Sequence, residues 1–120
     1  MKSLLLAFTL FTSVASAAGP DEAAFLAEND AAMNKMMAAM EIQPTGDVDK
    51  DFVAMMTPHH QGAIDMAQAV LRYGRNEQLR RLAQEIIVTQ QQEIAVMRTA
   101  VGDPLPPSAP SPTTPKHMEH

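Results

Sequence analysis

The chain has 120 residues, carries a formal net charge of −5, and contains ten methionines but neither cysteine nor tryptophan. That length sets one domain as the expectation, and the missing cysteine excludes disulfide stapling and thiolate chemistry. An acidic chain is a poor partner for nucleic acid, whose binding rests on cations set against phosphate; it suits cations better.

Residues 1–17 read as a secretory signal. Met1-Lys2 supplies the positive start, Leu4, Leu5, Leu6, Ala7, Phe8, Leu10 and Phe11 form the apolar run, and Ala15-Ser16-Ala17 places small residues where a signal peptidase cuts. The run is too short to span a bilayer, so no membrane insertion is expected after cleavage. The mature protein is expected to begin at Ala18, to be periplasmic or secreted and, having lost Lys2, to carry a charge of −6.

A helical domain is expected over residues 18–102. Pro20-Asp21-Glu22 opens a first helix, with acids where the helix dipole favours them, and it runs to about Glu41 before Pro44 and Gly46 break the chain. Asp47 is a good N-cap for a second helix reaching about Tyr73, with Gly74 as its C-terminal glycine. Asn76 caps a third, which ends near Val101 ahead of Gly102-Asp103-Pro104. No sustained period-two run of β-branched residues suggests a strand. The fold class is therefore all-α, with short loops that make neighbouring helices antiparallel.

Apolar spacing assigns each helix an inward side. The second helix carries a seam of Phe52, Met56, His59, Ala63, Met66, Val70 and Tyr73, in alternating steps of four and three. The third is expected to bury Leu79, Leu82, Ile86, Ile87, Ile94, Met97 and Val101; the first crowds Phe25, Leu26, Met33, Met36, Met37 and Met40 to one side. From Asp103 onward, prolines among serine and threonine preclude helix and leave too little apolar surface to fold. Residues 103–120 are expected to be a disordered, semi-rigid tail ending in His117-Met118-Glu119-His120, a copper-friendly tether or an inert end.

The densest chemistry lies at Met55-Met56-Thr57-Pro58-His59-His60, followed by Met66. Met55 precedes His59 by one helical turn, and Met56 precedes His60 by one. Thioethers select Cu(I), and imidazole serves copper in both oxidation states. Pro58 removes a helical hydrogen bond and is expected to bend the helix and open a pocket there. A second cluster, Met33, Met36, Met37 and Met40, reads equally as a thioether site or a methionine-rich core stripe. Gln90 and Glu93 border the third helix's apolar side, as orienting partners for a ligand histidine or as solvent-facing boundary residues.

The stretch Met55-Met56-Thr57-Pro58-His59-His60-Gln61-Gly62-Ala63-Ile64-Asp65-Met66-Ala67 resembles the signature of the bacterial secreted family called domain of unknown function 305. Leu82-Ala83-Gln84-Glu85-Ile86-Ile87, then Gln90-Gln91-Gln92-Glu93-Ile94 and Met97, resembles its second block. The resemblance implies a ferritin-like helical bundle. It also implies copper binding through methionine and histidine, as in the family's CopM-like periplasmic branch, with Met55, Met56, His59, His60, Met66 and Met97 as candidate ligands. Three helices fall one short of such a bundle, and a homodimer could supply the missing packing surface.

These readings converge on a non-catalytic copper-binding protein that buffers, sequesters or passes on Cu(I) or Cu(II), with no delivery partner identified. A metal-free structural bundle with a methionine-rich core is the alternative. Di-iron catalysis needs Glu-x-x-His pairs, and none precedes the tail.

Overall fold

The computed structural model describes residues 19–104. The expected signal segment at 1–17 lies outside them, as does the tail from residue 105, including His117 and His120. Three helices account for the described chain: α1 (Pro20–Met40), α2 (Val48–Tyr73) and α3 (Glu77–Ala100). The described residues contain no strand.

The helix ends follow local chemistry. α1 starts on Pro20, whose fixed φ suits the first turn and whose missing N–H costs nothing there. The Asp47 side chain accepts hydrogen bonds from the backbone N–H groups of Asp49 and Lys50, at 3.0 and 3.2 Å. Thr45 ties the preceding loop to the same turn, its hydroxyl donating to Asp51 at 2.7 Å. Asn76 accepts from the Leu79 N–H at 3.0 Å, capping α3.

The two helix-ending glycines work differently. Gly102 has φ +77, and the N–H groups of Gly102 and Asp103 donate back to Thr99 and Arg98, closing α3 in a left-handed C-cap. Gly74, expected to do the same for α2, is extended at φ −76. Its constraint is steric: a β-carbon there would lie 2.6 Å from the Val70 carbonyl oxygen.

α2 is the centre of the molecule. α1 packs along one flank and α3 along the other, both antiparallel to it, and α1 and α3 do not meet. Ile64 and Ala67 of α2 are buried against Ala83, Ile87 and Ile94 of α3, with Val70, Leu71, Ile86 and Met97 packed around them. Ile87 is completely buried, which stabilises by roughly 1.5–3 kcal/mol. On the α1 flank the buried residues are small, Ala32 on α1 and Gly62 and Ala69 on α2, so the backbones approach closely. Met36 fills the notch at Gly62; a β-carbon there would stand 2.7 Å from its sulfur.

Polar ties fasten α1. Glu28 accepts hydrogen bonds from Arg72 and, at 2.8 Å, from the Tyr73 hydroxyl. Lys35 pairs with Asp65 at 3.4 Å, and Arg75 with Asp21 at 3.2 Å. The last two are solvent-exposed ion pairs and contribute little.

The layer changes where the expected apolar seams point. On α2, Phe52, His59 and Met66 are exposed, because the seam looks out through the gap between α1 and α3. Leu79 and Leu82, expected to be buried on α3, are 56% and 49% exposed, and Leu26, Met33 and Met37 of α1 are exposed as well. A three-four repeat marks one apolar stripe per helix; burying it requires a facing element, which a single layer of three helices does not provide. α2 is helical throughout, across Pro58 included.

Candidate metal centre

Helical periodicity gives the layer two unlike sides. On one side Lys35, Lys50, Gln61, Asp65 and Arg98, together with Met36, Val53 and Ala54, line a mixed groove of about 870 Å³. Met36 is the only soft donor among its lining residues, and it is committed to the Gly62 notch. On the other side run the α2 seam, the Phe25–Asn29–Met33–Met37 stripe of α1 and the Leu79–Leu82–Ile86 stripe of α3. This groove is thus separate from His59 and His60, which belong to the open, apolar side.

At the α2–α3 seam on that side, a cavity of about 350 Å³ is lined by Phe52, Met56, His60, Glu93, Val96 and Met97. Antiparallel pairing explains the gathering: Met56 and His60 sit one turn apart on α2, facing Met97 and Glu93 one turn apart on α3. The His60 ring is held at both nitrogens. Nδ1 lies 3.0 Å from the Met56 carbonyl oxygen and Nε2 lies 2.5 Å from Glu93 Oε2. A carbonyl oxygen only accepts, so Nδ1 carries the proton and donates it. Nε2 is the nitrogen left to face the Glu93 carboxyl and the cavity.

The donor set fits copper. A histidine whose Nδ1–H is anchored on a backbone carbonyl presents Nε2 in the tautomer a metal requires. Met56 and Met97 add thioethers and Glu93 a carboxylate, so the cavity walls hold donors for both oxidation states. Among the described residues, no three histidine or carboxylate side chains gather at one point.

The other candidate residues are distributed along the same side. His59 is exposed, its ring centroid 6.1 Å from that of His60 with the planes tilted by 59°. Met55 is exposed, and Met66 lines a separate apolar groove with Phe25, Val70, Leu79 and Leu82. Met33 and Met37 are exposed on α1, while Met40 is half-buried. The pairs Glu28–Tyr73, Lys35–Asp65 and Met36–Gly62 fix the α1–α2 register. That register sets Met33 level with Met66 and Met40 level with His59. Gln90 is half-buried and has no side-chain hydrogen bond to the histidines, whereas Glu93 holds His60 directly.

Sequence reasoning missed the Glu28–Arg72–Tyr73 knot, the Thr45–Asp51 tie and the Gly62 notch. A glycine inside a strongly periodic helix signals close approach and marks the last of these; the knot joins residues 44 and 45 positions apart and leaves no local trace.

The fold and site define an all-α protein: the described residues form a single layer of three antiparallel helices, with His59, His60 and most of the described thioethers on one side of it. Residues 1–101 match the family model described as Domain of unknown function (DUF305), and the chain belongs to that family. No curated protein matches it. No described helix is long and apolar enough to cross a membrane.

Proposed function

We propose that this protein binds copper outside the cytoplasm, through methionine and histidine side chains, and buffers, sequesters or transfers it without catalysing a reaction. The observation that carries this reading is His60, anchored through Nδ1 on the Met56 carbonyl, with Nε2 directed at Glu93 in a cavity shared with Met56 and Met97. In this reading His60, Met56 and Met97 hold the ion and Glu93 assists in the Cu(II) state. His59, Met55, Met66, Met33, Met37 and Met40 are further soft donors on the same side of the layer. This is the role of the family's copper-binding branch, and the fold is read as a ferritin-like bundle short of one helix. The signal-like pattern of residues 1–17 supports a periplasmic or secreted location.

The metal-free alternative draws support from Met36, which acts as a core filler at Gly62. Changing His59 and His60 together to alanine separates the two readings, since alanine preserves the helix. The copper reading expects Cu(I) affinity, measured by competition with a chromogenic chelator, to fall at least tenfold while circular dichroism stays helical. Unchanged affinity with a lowered Tm overturns it. Competition with zinc is a second check. Thioethers contribute little to zinc binding, so displacement of Cu(I) by zinc also counts against copper.

A further inference from the structure

The open side of the layer poses a problem independent of metal. Domains bury their apolar faces between at least two packed layers, and the described residues present one. The groove between α1 and α3 is floored by Ala63, Met66 and Val70 and walled by Phe25, Leu79 and Leu82, with a volume of about 310 Å³. Met66, Leu79 and Leu82 are exposed there, and Leu26, Met33, Met37 and Phe52 extend the apolar surface along the molecule. The opposite side carries the charges Lys35, Lys50, Asp65 and Arg98, as a solvated face should.

We propose that a second copy of this chain packs on the open side, apolar face against apolar face, so that two three-helix layers share one core. Area supports that occupant. The exposed apolar side chains are each about half uncovered, leaving on the order of 100 Å² apiece on the scale of large side chains. Together they offer on the order of 700–800 Å², the amount each partner contributes to a stable interface and more than the largest apolar patch of an ordinary monomer. Chemistry selects the same occupant. A two-fold contact sets a surface against itself, which repels when the surface carries one sign of charge and succeeds when it is neutral and apolar. The groove lining contains no charged residue. A membrane surface is disfavoured, because peripheral binding to anionic lipid uses lysine and arginine beside the apolar face and this chain is net acidic.

Sedimentation velocity of the mature chain in chelator tests the proposal. The expected result is twice the chain mass, with a Tm that rises with protein concentration. Leu82→Glu should give the single-chain mass, whereas Gln68→Glu, on the charged side, should keep the double mass. Leu79→Gln, a milder change, replaces Leu82→Glu if that variant loses its helical circular dichroism. Leu82→Glu should leave Cu(I) affinity within about twofold of wild type, so a failed interface and a failed metal site give different results. A single-chain mass at every attainable concentration overturns the proposal. So does a double mass that appears only with Cu(I), or a monomer that floats with phosphatidylcholine vesicles.

Discussion

Across the seam between α2 and α3, His60 Nε2 meets Glu93 Oε2 at 2.5 Å, while the other nitrogen of the ring is fixed to the backbone of its own helix. The ring has one orientation available, and Glu93 decides what charge sits beside it. Glu93→Gln keeps the shape and removes the carboxylate. Cu(II) affinity should fall roughly 10- to 100-fold, the usual effect of losing a group that orients a ligand or joins it. Cu(I), which relies on sulfur, should lose less. Parallel titrations in the two oxidation states check this; equal losses would remove Glu93 from the Cu(II) role.

Met56→Leu and Met97→Leu test the thioethers with nearly isosteric replacements, which usually cost under about 1.5 kcal/mol of stability. Each should weaken Cu(I) binding about tenfold or more and leave Cu(II) binding nearly unchanged. Met66→Leu, in the separate apolar groove, should have a smaller effect on Cu(I). If all three variants behave alike, the cavity at the seam has no special standing among the methionines.

At Gly62 two effects of known size oppose each other. Alanine inside a helix gains about 1 kcal/mol over glycine, but crowding a filled core typically costs about 1–3 kcal/mol. With the Met36 sulfur 2.7 Å from the new β-carbon, crowding should win, and Gly62→Ala should destabilise by about 1 kcal/mol. Combined with Met36→Ala, the same change should become stabilising relative to Met36→Ala alone. Denaturant unfolding of all four proteins in the cycle provides the measurement.

The Glu28 knot predicts a pH dependence. Hydrogen bonding from Arg72, and then from Tyr73, holds the Glu28 carboxyl below its ordinary value. The folded state therefore binds that proton more weakly than the unfolded state. The resulting stability is present above the ordinary carboxylate range and fades as pH falls through the lowered value. The hydrogen bond to Glu28 raises the Tyr73 hydroxyl above its ordinary value of 10.0. Its contribution is complete below that value and disappears as pH rises through the raised one. Glu28→Gln should lower Tm by a few degrees near neutrality, and the two Tm curves should converge at strongly acidic pH. Parallel curves throughout would mean that the knot contributes nothing through ionisation.

Most of the helical framework could be read from local signals. Pro20, Asp47, Asn76 and Gly102 mark their helix ends because capping chemistry acts within one turn. Gly74 ended α2 as expected, but what the position requires is the absence of a β-carbon beside the Val70 carbonyl rather than a left-handed turn, which spacing alone does not disclose. The core was harder to assign. The α2 seam from Phe52 to Tyr73 has bundle spacing, yet the most buried α2 residues, Ile64, Ala67 and Ala69, lie to its sides, where small partners admit a neighbouring helix. Periodicity gives the direction of a stripe and is silent on whether anything faces it. The candidate site was legible in part. Met56 and His60 were paired by spacing on one helix, but their meeting with Met97 and Glu93 depends on the antiparallel register of α2 and α3.

The central position of α2 also makes the molecule mechanically divisible. Among the described residues α1 packs on α2 alone, through small buried residues, the Met36 notch and surface ties. Every residue of the cavity at His60 belongs to α2 or α3. A nick in the 41–47 loop would therefore leave all six residues of that cavity on one fragment. The first helix and the donor cluster are thus carried by different stretches of the chain, and a change confined to α1 reaches the cavity only through α2.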